Sequence, residues 1–144
     1  MLRKRYLLLI ASYLFTVTLL HTSYLIGSEV SPFIEEETTP QGISYMSGGI
    51  GLEERKTLSQ LGREYSLKLV FALSTGEYLN GVRVEITDSK GERAIDAISS
   101  GPWFFVSLKD GSYQILVTAK NVTKSLSDIH IIEGEQKVIH IHWP

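Results

Sequence analysis

Between Ser100 and Ala119 the chain reads SGPWFFVSLKDGSYQILVTA. A Gly-Pro break opens an aromatic run, a Lys-Asp-Gly turn closes it, and a second run rich in β-branched residues follows directly. Aromatic and β-branched residues fit a pleated, half-buried surface, and Asp110-Gly111 can adopt the positive φ angles of a tight turn. The pattern predicts a β-hairpin around which the other strands are arranged.

Alternation of apolar and polar residues extends over the whole region 64–144. This period is typical of strands with one buried face. Turn-forming residues separate seven such runs, which predicts an all-β fold, an antiparallel sandwich or barrel of seven strands. The residues predicted to fill its core are Leu67, Leu69, Phe71, Val82, Val84, Ile86, Phe104, Val106, Tyr113, Ile115, Val117, Ile139 and Ile141.

Residues 45–63, called the lead-in below, precede these strands. Acidic residues in a first turn, leucines three apart and Gly62 at the end predict a short helix in its second half. Gly48, Gly49 and Gly51 come before the helix, where they can form either a sharp turn or an anion cradle of backbone N–H groups. The Lys-Ser/Thr ending of a phosphate loop is missing, which favours the turn.

Residues 1–28 have the layout of an export signal. Three cationic residues, Arg3 to Arg5, precede the apolar run 6–26, which carries no formal charge when its histidine is neutral. The run is close to the ~20 residues that cross a bilayer as a helix, and a clear Ala-x-Ala cleavage pattern is absent. Both a cleaved signal peptide and a retained signal anchor are therefore open. In either case we expect the remaining chain to cross the membrane.

Charge and composition exclude some kinds of partner and predict a linker. The 144-residue chain has a net charge of −2, and the signs are interspersed beyond the linker, so no nucleic-acid partner is expected. There is no cysteine, which excludes disulfides and thiolate metal sites. Residues 29–44 contain prolines, threonines and the run Glu35–Glu37, and so predict an acidic flexible linker.

Two stretches resemble a known family. Gly76 to Gly91 has the arrangement Gly-x-Tyr-Leu-x-Gly-Val-x-Val-x-Ile-x-Asp-x-x-Gly, and Leu108 to Ala119 has Leu-x-x-Gly-x-Tyr-x-Ile-x-Val-x-Ala. Both resemble the carboxypeptidase regulatory-like domain. The resemblance implies a seven-stranded, prealbumin-like (transthyretin-like) Greek-key β-sandwich over residues 64–144. The turn departs from the family's common Pro-Pro-Gly or Pro-Ala-Gly, because Lys109-Asp110-Gly111 keeps only the glycine.

Two further motifs resemble one group of proteins within this family. The lead-in motif Ser47 to Arg55 and the Ser-Gly-Pro-Trp element, Ser100 to Trp103, resemble small exported proteobacterial members of uncharacterised role. The resemblance implies a periplasmic location, either soluble or anchored to the inner membrane through residues 6–26. It also implies no catalytic machinery, no cofactor and an unknown protein partner in the cell envelope.

Three histidines near the carboxyl end are the candidate metal ligands. If the last two strands pair about the turn at residues 133–135, Asp128 lies opposite His140, and the side chains of His130, His140 and His142 share an outward face. A His-x-His pair with a third ligand can hold zinc or copper. The ordinary alternative is a set of exposed polar side chains.

The aromatic run offers a second candidate surface. Trp103 and Phe105 point opposite to Phe104, so they either present an apolar contact surface or lie beneath the lead-in. The covered arrangement is favoured, because it explains why the lead-in is attached to the strands. With Gly48, Gly49 and Gly51, these two aromatic residues are the candidates for an interaction surface.

The sequence favours a protein that is not an enzyme. It contains neither the Gly-x-Ser-x-Gly nor the His-Glu-x-x-His motif. The leading expectation is a protein-interaction or structural module of the cell envelope. The alternative is a periplasmic protein that binds a small ligand or a metal ion, zinc or copper.

Overall fold

A computed structural model describes residues 34–144. The predicted signal peptide or signal anchor, residues 1–28, and the first part of the predicted linker lie outside the described residues. Residues 34–144 form mostly β-structure in two sheets, which confirms the β-rich class predicted from the alternating pattern. In this part of the chain, no helix has the length and apolar composition required to span a membrane.

The described part contains one α-helix and nine strands. The helix α1 spans Leu52–Leu61 and is followed by a 3₁₀ turn at Gly62–Glu64, as the lead-in predicts. The strands β3 to β9 lie beyond residue 64, near their predicted positions, and β1 and β2 are additional to the seven predicted strands. The strand bounds are β1 Glu36–Thr38, β2 Ser44–Gly48, β3 Leu67–Leu73, β4 Arg83–Asp88, β5 Arg93–Ile98, β6 Trp103–Val106, β7 Gly111–Ala119, β8 Val122–Ile131 and β9 Lys137–Trp143.

The strands form two sheets with one parallel pair. The first sheet has the order β1-β2-β6-β3-β9, and the second has the order β5-β4-β7-β8. Neighbours are antiparallel except β3 and β9, where Leu67 lies beside Lys137 and Leu73 beside Trp143 in parallel register. The prediction of a wholly antiparallel arrangement is wrong at this pair, because β9 reaches β3 by crossing between the sheets and not through a tight turn.

The predicted hairpin of residues 100–119 does not form. Strand β6 pairs with β2 and β3 in the first sheet, whereas β7 pairs with β4 and β8 in the second. The hydroxyl of Ser66 accepts a hydrogen bond from Leu108 N–H at 2.8 Å and donates to Leu108 C=O at 2.9 Å. Leu108 is itself buried. The connection is therefore held at the start of β3 and carries the chain from one sheet to the other.

The predicted pairing of the last two strands is also wrong. Strand β8 pairs with β7, and β9 pairs with β3, so the turn at residues 133–135 joins two sheets. Trp143 lies at the far end of β9, and its indole N–H donates to the carbonyl oxygen of Val122 on β8 at 3.1 Å. This bond links the two sheets at the side where β8 and β9 form their edges.

Both sheets contribute to one shared hydrophobic core. All predicted core residues belong to it, although Tyr113 and Ile139 are only partly buried. Tyr65 has the alternation parity of Leu67 and Leu69, but it lies before β3 and packs in a separate cluster with Phe105. The core members that the alternation did not single out are Ala94, Ile95, Leu108, Ala119, Ile131 and Trp143.

Part of the predicted flexible linker forms strand β1. Its residues pair with β2, with Glu36 beside Met46 and Thr38 beside Ser44. The Tyr45 hydroxyl donates to the Glu37 carboxylate at 2.7 Å. The acidic run is ordered because aromatic residues that follow it in the chain supply the contacts that the run itself lacks.

Candidate functional site

The lead-in packs on the outer face of the first sheet. Leu58 of α1 and Met46 of β2 form a buried cluster with Tyr65 and Phe105, and Trp103 packs partly buried against it. Phe105 is only 1% exposed. The structure thus shows the covered arrangement of the aromatic run, and Phe105 cannot present a contact surface.

Gly62 allows the lead-in to pack closely on Phe105. A Cβ atom added at Gly62 would overlap the Phe105 ring, so the turn after α1 can lie against the aromatic side chain only with glycine there. Tyr65, three residues on, meets the same ring in an edge-on contact with centroids 6.1 Å apart. Glycine at the end of the helix therefore has a packing role in addition to ending the helix.

Two cationic side chains lie at the edge of the surface that the lead-in covers. The Lys68 ammonium lies 3.5 Å from the centroid of the Trp103 ring and 5.2 Å from that of Phe105. Burial lowers the pKa of Lys68. The Arg55 guanidinium lies 5.5 Å from the centroid of the Tyr78 ring. The cation–π contacts of Lys68 join β3 to the aromatic run, and that of Arg55 joins the lead-in to Tyr78.

The glycine loop is a structural turn. Gly49 has a φ of +95°, a left-handed conformation that favours glycine. The Glu54 carboxylate accepts hydrogen bonds from the N–H groups of Ile50 at 3.0 Å and Gly51 at 3.3 Å. The N–H groups of Ile50 and Gly51 are therefore occupied by the chain's own carboxylate, as in a capping box, and do not point to an external anion.

Arg55 fixes the same loop from the other side. Its guanidinium donates to the carbonyl oxygens of Gly49 at 2.8 Å and Ile50 at 3.1 Å. Glu54 and Arg55, adjacent in α1, thus bind successive peptide groups of the loop that precedes the helix. This explains physically the Glu-Arg ending of the lead-in motif, since both side chains hold the turn.

The two motifs that narrowed the family resemblance lie against each other. Ser100 N–H donates to Ser47 Oγ at 2.9 Å, and Ser100 Oγ donates to Ser47 C=O at 2.9 Å. A Cβ atom at Gly101 would overlap the backbone of Gly48. Two Ser-Gly pairs thus allow a close backbone approach between segments 53 residues apart. Sequence reasoning missed this contact, although the repeated small residues are a signal for it.

Two exposed apolar residues lie at residues 49–52, where the loop held by Glu54 and Arg55 meets α1. Ile50 is 63% exposed and Leu52 is 73% exposed, and they flank Gly51. Tyr78, 53% exposed, lies across the Arg55 guanidinium. Sequence reasoning chose the glycines Gly48, Gly49 and Gly51 and not these neighbours. Their exposure depends on the direction of the loop. Hydrogen bonds of Glu54 and Arg55 set that direction, and the sequence pattern alone does not show these bonds.

The predicted metal ligands do not come together. His130 and Asp128 lie on β8 in the second sheet, whereas His140 and His142 are exposed on β9 in the first. His130 Nδ1 is 2.8 Å from the hydroxyl oxygen of Ser112. Within residues 34–144, no group of three or more potential metal ligands is close enough to hold an ion. The register that placed Asp128 opposite His140 is wrong, because β8 and β9 are not neighbours.

Among the contacts of residues 34–144, the Ser112–His130 contact most resembles part of a nucleophilic catalytic site. The hydroxyl of Ser112 meets Nδ1 of an exposed histidine. Within residues 34–144, no hydrogen bond joins a carboxylate to that ring. A serine, a base and a group that orients the base are the parts that nucleophilic catalysis needs, and this pair has only two of them.

Comparison of the chain with models of protein families finds no match, and comparison with curated proteins finds none. The residues of the fixed loop and of the exposed edges are therefore the basis for the functional proposals. Ile50 in the loop and Leu52 at the start of α1 form the candidate contact site, and His140 and His142 form a second exposed group.

Alkaline pH is expected to weaken the fold through Tyr65. Burial, followed by the charge and hydrogen bond of the Glu36 carboxylate, raises the pKa of Tyr65 to about 12. In the unfolded chain a tyrosine loses its proton near pH 10, so the stability that Tyr65 contributes is present below about pH 10 and lost as pH rises through about 12.

Urea unfolding of the wild type and of Tyr65→Phe checks this expectation. The variant should lose less stability than the wild type between about pH 9 and 11.5, because it has no phenol to ionise. Tyr78→Phe, at a tyrosine that is 53% exposed, is the matched control and should follow the wild type. Equal losses in the wild type and Tyr65→Phe would contradict the assignment.

Proposed function

We propose that this chain is an exported, non-enzymatic β-sandwich module of the carboxypeptidase regulatory-like type, and that it acts through contacts with a protein of the cell envelope. Two sheets on one shared core support the sandwich. The seven strands beyond residue 64 would form the Greek-key unit, with β1, β2 and α1 added to it.

The observation that supports this proposal is the exposed pair Ile50, in the loop before α1, and Leu52, at the first position of α1. Burying a large aliphatic side chain is worth roughly 1.5–3 kcal/mol, which is a gain that a partner's surface can provide. The loop is held by Glu54 and Arg55, so little conformational freedom is lost on binding. The partner we propose is an envelope protein with an apolar cleft that accepts both side chains.

The proposed location is the periplasm. Support comes from the cationic residues 3–5 and the apolar run 6–26, the order found in export signals. The module is either soluble after cleavage or anchored to the inner membrane, with membrane contact only through residues 6–26. Amino-terminal sequencing of the protein isolated from cells distinguishes the two forms.

Site-specific photocrosslinking in intact cells tests the contact. A photoreactive residue at position 50 or 52 of the full chain is expected to capture one defined envelope protein. Ile98 on β5 is the matched control, because it is 69% exposed and lies in the other sheet. Capture of the same protein from position 98, or of no protein from positions 50 and 52, would overturn the proposal.

Substitution separates binding from folding. Ile50→Ser and Leu52→Ser should reduce recovery of the captured protein about tenfold or more, since an apolar anchor is lost. Both positions are exposed, so each change should alter the free energy of unfolding by no more than about 0.5 kcal/mol. Ile98→Ser should leave recovery unchanged.

A metal-binding role is the second candidate. The observation in its favour is that His140 and His142 are both exposed on the same face of β9. In the described part, one chain supplies only two imidazoles there, and a stable zinc site usually has three or four protein ligands. A single-chain carrier of this kind would need further ligands.

A further inference from the structure

Strand β9 forms a free edge of the first sheet. Within residues 34–144 it pairs with β3 alone. Lys137 N–H donates to Ser66 C=O at 2.8 Å, and Ser74 N–H donates to Trp143 C=O at 2.7 Å. In a parallel pair, alternate residues direct their amide groups to the same neighbour. The residues whose N–H and C=O groups point to the free side are therefore Val138, His140 and His142.

The other three edges carry features that oppose pairing with another chain. Strand β1 has only three residues, and two of them, Glu36 and Glu37, are acidic. Strand β5 exposes an ion pair between Arg93 and Asp96, 2.8 Å apart. Strand β8 is interrupted by a register shift next to Asp128, whose φ is +57°. Strand β9 keeps an unbroken register over seven residues, and its single charged residue is Lys137 at its start.

We propose that β9 pairs with β9 of a second copy of this chain, antiparallel and around a two-fold axis at Ile141, and that the four histidines so assembled bind one zinc ion. This register places His140 opposite His142 of the second copy. Both residues have free amide groups, so each such pair exchanges two backbone hydrogen bonds. The same strand serves as donor edge and acceptor edge, which is the condition for a two-fold interface.

The geometry suits a metal ion. Opposite residues in a hydrogen-bonded antiparallel pair are about 5.5 Å apart at Cα, and residues two apart on one strand are about 7 Å apart. His140 and His142 of both copies thus occupy the corners of a small rectangle, all on the outer face. Imidazole nitrogens from four such positions can converge on zinc, whose Zn–N bonds are about 2.0–2.1 Å.

The surroundings favour imidazoles as the ligands. The neighbours of His140 and His142 on β3 are Val70 and Ala72, both apolar and buried. The one charged side chain of β3 on that face is Lys68, which lies beside Val138 and directs its ammonium to the Trp103 ring, 3.5 Å from the ring centroid. Each chain alone contributes two ligands, so the site is complete only in the dimer.

Sedimentation and zinc calorimetry of the full chain, in detergent if the anchor is retained, test the proposal. We expect zinc to convert monomer to dimer with one zinc ion per two chains. His140→Gln and His142→Gln should each weaken the zinc-dependent association at least about tenfold, as expected when ligands are lost from a tetrahedral site. His130→Gln is the matched control, because it removes an exposed histidine from β8, and it should behave like the wild type.

A backbone variant tests the strand pairing itself. Val138→Pro removes an N–H group that points to the free edge and keeps both zinc ligands, so it should weaken the dimer while Val138→Ala does not. The proposal is overturned if zinc leaves the mass of the monomer unchanged or binds one ion per chain. It is also overturned if His130→Gln has the effect of His140→Gln, or if Val138→Pro dimerises like Val138→Ala.

Discussion

Phe105→Ala is expected to lower the free energy of unfolding by about 3–5 kcal/mol, the range for removal of a buried aromatic ring. Phe105 is 1% exposed and forms the centre of the cluster of Met46, Leu58 and Tyr65. Its loss leaves a cavity beneath the lead-in. The glycine at position 62 has no side chain that could move into this cavity. Equilibrium urea unfolding measures the change.

Two comparisons make this result specific. Phe105→Leu keeps most of the volume and should lose less than half as much stability, because smaller cavities cost less. Ile98→Ala, at an exposed apolar position, should change stability by no more than about 0.5 kcal/mol. A loss below about 1 kcal/mol for Phe105→Ala would show that the lead-in does not pack on the sheet as described.

Gly101→Ala should destabilise the protein by about 2–3 kcal/mol, the upper part of the range for overpacking. The added Cβ would overlap the carbonyl and Cα atoms of Gly48. Because the obstacle is backbone, no side-chain rotation can relieve it, and β2 has to move away from the segment that precedes β6. The hydrogen bonds between Ser47 and Ser100 lie next to this contact and should be strained with it.

Gly91→Ala is the control for this prediction. Gly91 has a φ of +84° and nothing within 4 Å of an added Cβ. Its substitution carries only the conformational cost of a left-handed residue, about 1 kcal/mol. Equal effects of the two substitutions would contradict a packing role for Gly101, and a near-neutral Gly101→Ala would mean that β2 is free to shift.

The strands were predictable and their partners were not. Alternation identifies a strand because one face must be buried, and this holds whichever neighbour the strand has. The Asp110-Gly111 turn permits a hairpin, but it equally permits a crossing between sheets. The choice is made by Ser66 and by the burial of Leu108, which are contacts over some 40 positions that no local pattern contains. The same reasoning explains the wrong pairing of β8 and β9.

The candidate site was predictable only in part. The cover over Phe105 follows from alternation and from the presence of an attached lead-in. The exposure of Ile50 and Leu52 does not follow, because the sequence pattern does not fix the direction in which the loop and the first residue of α1 point. The edge position of His140 and His142 depends on the parallel pairing of β9, which the pattern of the last two strands did not indicate.

The pairing of β3 with β9 also limits when assembly can finish. Leu67 pairs with Lys137, which lies seventy positions later in the chain. During synthesis from the amino end, that side of β3 therefore has no partner until β9 has left the ribosome. Such distant contacts make folding slow. The first sheet therefore lacks its β9 edge until residue 143 has been synthesised, and only then can both sheets close around the shared core.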